Sequence, residues 1–105
     1  MHFDLEGEPR PLPEEIEVSG YRILQHLLTT SLAAGSGGPV AVRLRYAPDG
    51  LSLAVTGDTN GSDRDEALAA ARERTSVHGG TFTVGFPSPG RRLLRAYLPA
   101  TVAHA

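Results

Sequence analysis

VAVRLRYAPDGLSLAV, residues 40–55, is the stretch that decides the fold. Apolar and polar residues alternate from Val40 to Tyr46, with Arg43 and Arg45 on the opposite face, so this segment predicts a strand with one buried side. The following APDG contains the proline, aspartate and glycine of a tight turn. LSLAV then returns as a second strand. The stretch therefore predicts a β-hairpin.

The residues before this hairpin predict one more strand and a long helix. HFDLEGE, residues 2–8, alternates in polarity, which predicts a short strand with Phe3 and Leu5 inward. The helix is expected to begin just after Pro13 and to stop at Gly35. Glutamates in its first turn suit the positive end of the helix dipole. Its apolar positions recur at helical spacing: Ile16, Ile23, Leu24, Leu27, Leu28 and Leu32.

The residues after the hairpin predict a second helix and a second hairpin. Ser62 is expected to cap a helix that runs from about Asp63 to Val77. TFTVGF and RRLLRAYLP flank the turn PSPG, which predicts two more antiparallel strands. The order β-α-β-β-α-β-β predicts an α+β fold of two layers. In it, a mixed sheet of about five strands carries both helices on one face.

Length and composition limit the classes of function. The 105 residues predict a single domain, with a core over about residues 2–99 and a frayed tail at 100–105. A net charge of −2 argues against a nucleic-acid partner. All 10 basic residues are arginine, so no lysine can serve as nucleophile or phosphate ligand. The Ala, Gly and Pro content suggests a GC-rich genome of the actinobacterial type.

The chain shows no sign of a membrane or metal role. No apolar run reaches the length of a membrane span, and the N-terminus lacks a signal-peptide pattern. We therefore expect a cytoplasmic domain that makes no membrane contact of its own. Histidines and acids do not occur at H-x-x-x-H, H-E-x-x-H or EF-hand spacing, so we also expect no metal site.

Several strings in register resemble one known family. EGEPRPLP (6–13) followed by YRILQ (21–25), the central hairpin, and ARERTSVHGGTFTVG (71–85) with a closing strand ending in LP are similar to the ATP-binding catalytic domain of sensor histidine kinases. The resemblance extends from about His2 to Pro99 and is greatest to kinases paired with LuxR/NarL-type response regulators. It implies the GHKL, or Bergerat, fold, in which ATP and Mg²⁺ bind a cleft and phosphate passes to a histidine on a separate module.

The family's first box, on the long helix, reads Q-E-x-L-T-N. Its glutamate helps to activate the attack on ATP, and its asparagine holds Mg²⁺. Here QHLLTT places His26 and Thr30 at those two positions, so the resemblance implies no catalytic residue in this chain. His26 would be a ligand or base in a repurposed cleft, or else a solvated or hydrogen-bonded group. The Thr30 hydroxyl is expected to bond the carbonyl one turn back.

The second box usually reads D-x-G-x-G, and its aspartate binds the adenine amino group. Here GDTNG (57–61) puts Gly57 at the aspartate position, while Gly61 keeps its place. Sliding the register by one residue would let Asp58 serve, but that conflicts with the strand alternation from Val55. The remnant of a nucleotide site would then comprise Gly57, Asp58, Asn60 and Gly61.

The third box, a glycine-rich turn into the second helix, has lost every glycine in DEALAAARER (65–74). A helix N-terminus normally favours phosphate. This one carries Asp63, Asp65 and Glu66, and like charges about 5 Å apart cost on the order of 3 kcal/mol at an effective dielectric near 20. The lid between the second and third boxes is also reduced to a few residues.

These departures favour a degenerate histidine-kinase ATPase-like domain of a two-component signalling protein. It would bind ATP weakly or not at all, need no cofactor, and act as a regulatory or protein-interaction module. Its partner would be the rest of a sensor kinase, a response regulator or another signalling protein. One alternative is a working kinase domain that uses ATP and Mg²⁺, and a second is an anti-sigma-type switch. Five arginines are candidates for a basic, partner-binding sheet face: Arg43, Arg45, Arg91, Arg92 and Arg95.

Overall fold

A computed structural model describes residues 2–34, 39–58 and 66–100 of the chain. The predicted order of elements, β-α-β-β-α-β-β, is confirmed over these residues. The helices are α1 (Glu14–Ala34) and α2 (Glu66–Val77), and the strands are β1 (His2–Glu6), β2 (Ala41–Ala47), β3 (Gly50–Asp58), β4 (Thr81–Gly85) and β5 (Arg91–Pro99).

The strands form one mixed sheet of five in the order β1-β2-β3-β5-β4. β1 runs parallel to β2, and the other neighbours are antiparallel. Ala47 pairs with Gly50, so Pro48 and Asp49 form the predicted two-residue turn. β3 is the central strand, and its long ladders to β2 and β5 hold the sheet together.

The core lies between the sheet and the two helices, which occupy the same face. α1 packs on β3 and on α2, while α2 packs on β4 and β5. This arrangement confirms the predicted two-layer architecture. The largest apolar side chains that are fully buried come from α1, β2, β3 and β5: Ile23, Leu27, Val42, Leu53, Val55, Leu94 and Leu98.

The first strand departs from the prediction, because Phe3 and Leu5 are 55% and 48% exposed. Their pairing with Val42 and Leu44 puts them on the helix side of the sheet. Both helices, however, lie over β3, β5 and β4 rather than over this edge. The alternation thus predicted correctly on which face of the sheet Phe3 and Leu5 lie, but the prediction that they are buried was wrong. Leu32, near the end of α1, is likewise 56% exposed.

Glycines end the second helix as the sequence HGG predicts. Gly79 has φ of 72° and donates its N–H to the Ser76 oxygen at 2.9 Å. Gly80 donates to the Thr75 oxygen at 3.0 Å, which completes a Schellman motif. The predicted stop at Gly35, the Ser62 cap and residues 101–105 lie outside the described residues.

Two further observations concern the ends and the helices. Ala100, which the sequence assigns to the tail, is buried and donates its N–H to the Asp49 oxygen at 2.9 Å.

In the described ranges, neither helix is long and apolar enough to cross a membrane.

Candidate functional site

The two polar residues of the helix box, His26 and Thr30, lie on the side of α1 that faces α2. They are one helical turn apart and so share a face. His26 lines an open groove of about 390 Å³ between the helices. The groove's other lining residues come from α2 and the residue that follows it: Ala70, Glu73, Arg74, Val77 and His78.

Thr30 does not make the predicted bond to the carbonyl one turn back. Its side chain is 1% exposed, and among the described residues its Oγ1 has no hydrogen-bond partner. Thr75 on α2 makes such a bond instead, donating from Oγ1 to the Ala71 oxygen at 2.7 Å. The Thr30 hydroxyl is therefore a buried polar group without compensation from the described chain.

Thr30→Val is expected to stabilise the fold by about 1 kcal/mol, because it removes a buried hydroxyl that makes no hydrogen bond. Thr75→Val is the matched control, since it deletes a buried hydroxyl that does make one, and it should destabilise by about 1 kcal/mol. Urea unfolding of both variants checks this. Loss of stability in both, to the same extent, would contradict the assignment of the two hydroxyls.

A contact that sequence reasoning missed joins the two helices beside the groove. Ser19 Oγ and His78 Nε2 are hydrogen-bonded at 2.6 Å, and Ser19 is buried. Ser19 lies two turns before His26, so both belong to the α1 face toward α2. His78 thus has a structural role, fixing the end of α2 against the start of α1.

Gly57 lies on the buried face of β3 together with Val55, as the alternation predicts. A Cβ at Gly57 would lie 3.2 Å from the Ser31 Cβ, so α1 approaches the strand closely here. Directly opposite on β5 is Arg92, which is 2% exposed on the same helix-facing side. The interpretation of Arg92 as part of a basic outer face is therefore wrong, because it alternates in phase with buried Leu94.

Asp58 points to the other face of the sheet. Its Oδ1 lies 2.9 Å from Arg91 Nη1, and the same nitrogen donates to the Pro39 oxygen at 2.9 Å. The carboxylate is thus engaged away from the helix side, where Gly57 and Thr30 lie. The assignment of Asp58 to the remnant of a nucleotide site stays a prediction. The other predicted groups at this end, Asn60, Gly61, Asp63, Asp65 and the short lid, lie outside the described residues.

The helix-free face of the sheet carries the remaining predicted arginines. Arg43, Arg45 and Arg95 are exposed there, and Arg43 Nε lies 3.4 Å from a Glu6 carboxylate oxygen. Acidic side chains from β1 thus accompany the basic ones. Over the described ranges, no group of at least 3 histidine, cysteine or acidic side chains could hold a metal ion.

Solved structures with a similar fold include histidine kinase catalytic domains. The catalytic domain of the histidine kinase ThkA matches 97% of this chain and 81% of its own with a TM-score of 0.72 and 13% identity. Full-length ShkA in complex with AMPPNP matches 99% of this chain with a TM-score of 0.73 and 16% identity. The histidine kinase domain of a blue-light-activated kinase of Erythrobacter litoralis matches 93% with a TM-score of 0.69 and 16% identity.

These likenesses establish the fold and leave the chemistry to the residues. The chain spans 54% of the Erythrobacter litoralis histidine kinase domain and 26% of ShkA. The sequence matches no protein-family model and no curated protein. At 13–16% identity, what this chain shares with the three structures is the ATPase-domain fold of histidine kinases.

Proposed function

We propose that this chain is a histidine-kinase ATPase-like domain that no longer binds ATP tightly and serves as a regulatory or protein-interaction module. The observation that carries this proposal is the surroundings of Gly57. The position that resembles the family's adenine-binding aspartate has no side chain, is buried, and lies against Ser31. No carboxylate extends from that position toward the cleft.

The chemistry at this end opposes an adenine amino group. That group is a hydrogen-bond donor, and an aspartate would accept from it. The residue opposite Gly57 is Arg92, whose guanidinium offers only donors. The nearest carboxylate along β3, that of Asp58, is held by Arg91 on the other face. The absence of an acceptor side chain at both Gly57 and Arg92 supports weak or absent adenine binding.

The metal end supports the same proposal. Mg²⁺ prefers several oxygen ligands in octahedral geometry. His26 offers an imidazole where the family has a carboxylate, and Thr30 offers one buried hydroxyl where it has an amide. Phosphoryl transfer relies on positioned metal and proton acceptors, and both positions are altered. No catalytic residue is therefore assigned to this chain.

The melting temperature with and without millimolar ATP and Mg²⁺ tests the proposal, and we expect no shift. A ligand at 100 times its Kd would stabilise the fold by about 2.7 kcal/mol, or roughly 10 °C or more for a domain of this size. A shift of that order would overturn the proposal in favour of a working kinase domain. The AMPPNP complex of ShkA, a protein of the same fold, makes that the second candidate.

A restored variant separates the contributions of the boxes. His26→Glu, Thr30→Asn and Gly57→Asp together are expected to leave ATP binding weak, because the glycine-free start of α2 is unchanged. The side chain introduced by Gly57→Asp would also have to displace Ser31, which lies 3.2 Å from the Cβ position. Micromolar ATP affinity in this triple variant would show that the loss resides in the first two boxes alone.

The role we propose is contact with signalling proteins. Similar domains occur inside longer kinases, since this chain spans 26% of ShkA and 52% of the Acinetobacter baumannii kinase AdeS. The partner would be the rest of a sensor kinase, a response regulator of the LuxR/NarL type, or another signalling protein. A neighbouring gene for such a regulator, or upstream helices with a phosphoacceptor histidine, would support that setting.

A further inference from the structure

We infer that a second copy of this chain pairs antiparallel with the free edge of β1, with the two Asp4 residues opposite each other. β1 is an edge strand of the sheet, and in the part of the chain that the structure describes, only β2 pairs with it. An unpaired strand edge is a template for another strand. The inference is independent of whether the domain binds ATP.

The backbone of β1 fixes which residues face outward. His2 donates its N–H to the Val40 oxygen at 2.8 Å, so the polar groups of His2 point toward β2. Successive residues of a strand direct their N–H and C=O to opposite edges. Phe3 and Leu5 therefore direct theirs to the free edge. These residues would form the hydrogen-bonded pairs with a second strand.

The side chains on the helix side of β1 are self-complementary in this register. With Asp4 opposite Asp4, Phe3 of each copy lies opposite Leu5 of the other, and four N–H···O=C bonds form between them. Phe3 and Leu5 are 55% and 48% exposed, although they project on the core side of the sheet. Each aromatic ring would then cover an aliphatic side chain, a favourable cross-strand pair.

The opposite face of β1 sets the register by charge. His2 of one copy would lie opposite Glu6 of the other, which places an imidazole beside a carboxylate. The two Asp4 carboxylates would meet at the symmetry axis, and in each copy His2 Nε2 lies 3.3 Å from Asp4 Oδ2. Centring on Leu5 instead would set Asp4 against Glu6 twice. A slip of one residue would put apolar and charged side chains on the same face.

The contact is small, since it comprises one five-residue strand from each copy and the apolar side chains beside it. Interfaces below the usual size are weak and transient. We therefore expect a dimer that forms in the upper micromolar range. This affinity would make pairing sensitive to a rise in local concentration, as when two domains are held side by side.

Sedimentation equilibrium of the whole chain from about 10 µM to about 1 mM tests the inference. The weight-average mass should rise from 11.1 kDa toward twice that value. Leu5→Pro should hold the mass at the monomer value, because proline removes an N–H that points outward while the ladder to β2 needs none from Leu5. Leu5→Asp should do the same by placing a charge in the apolar pair. A monomer at every concentration would overturn the inference.

Controls separate this contact from general adhesion of apolar surface. Leu32→Asp removes a similarly exposed leucine on α1, a helix that makes no contacts with β1, and should leave the dimer unchanged. Asp4→Asn should tighten dimerisation about two- to fivefold by relieving the like charges at the axis. A dimer that survives Leu5→Pro would overturn the inference, and weaker pairing of Asp4→Asn would overturn the register. Circular dichroism confirms that each variant is folded.

Discussion

Leu27→Ala is expected to lower the free energy of unfolding by about 3 to 4 kcal/mol. Leu27 is fully buried on the face of α1 that packs against β3. Truncation removes apolar contacts and leaves a cavity that the rigid sheet beneath cannot fill. For a domain of this size, the melting temperature should fall by roughly 15 °C or more. Urea and thermal unfolding measure both quantities.

The matched control lies five residues later on the same helix. Leu32→Ala makes the same chemical change at a side chain that is 56% exposed, and it should alter stability by less than about 0.5 kcal/mol. Alanine is at least as good a helix former as leucine, so the change in helix propensity should not lower the stability of this variant. Equal losses in the two variants would show that the buried face of α1 is wrongly assigned.

Gly80→Ala is expected to be the other strongly destabilising substitution, by about 3 kcal/mol. A Cβ at Gly80 would clash with the Tyr97 backbone oxygen and would lie 3.1 Å from the Thr75 backbone oxygen. Both are backbone atoms, one in β5 and one in the last turn of α2. Neither can rotate away, so the strand or the helix end must move. The Schellman motif that ends α2 would be distorted as a result.

Gly79→Ala is its control, one residue earlier. The space around Gly79 is open, but its φ of 72° disfavours a side chain. That strain costs about 1 to 2 kcal/mol, so the loss should be smaller than at Gly80. Chemical unfolding of the two variants ranks them. A larger loss at Gly79 would mean that backbone conformation, rather than close approach of Tyr97, governs this turn.

The fold was predictable because apolar residues recur with different periods in its strands and in its helices. Alternation around PDG marks the hairpin of β2 and β3, and a helical repeat with glutamates at its start marks α1. Burial of β1 was not predictable in this way. Alternation gives the face on which Phe3 and Leu5 lie. Whether a helix covers these two side chains depends on where α1 crosses the sheet. That crossing is a tertiary property, set by packing of α1 against α2 and β3.

In the candidate site, too, the sequence predicted some features and missed others. The strand alternation from Val55 argued against Asp58 as a cleft residue, and in the structure Gly57, not Asp58, shares the buried face of β3 with Val55. Arg92 carried the same signal, since it alternates in phase with Leu94, but its charge favoured an outer position. The bond between Ser19 and His78 joins residues 59 apart in the chain and leaves no local pattern. Among the described residues the Thr30 hydroxyl has no hydrogen-bond partner, and the local sequence likewise gives no sign of this.

The marginal position of β1 has a consequence for the motions of the domain. None of its five side chains is buried, so releasing the strand gives up its ladder to β2 and exposes little new apolar surface. The four-stranded remainder, with both helices, keeps the core intact. Local opening of this strand should therefore occur far more often than global unfolding. Its amide protons would exchange with solvent through that opening, while the amide protons of β3 would exchange only when the whole domain unfolds.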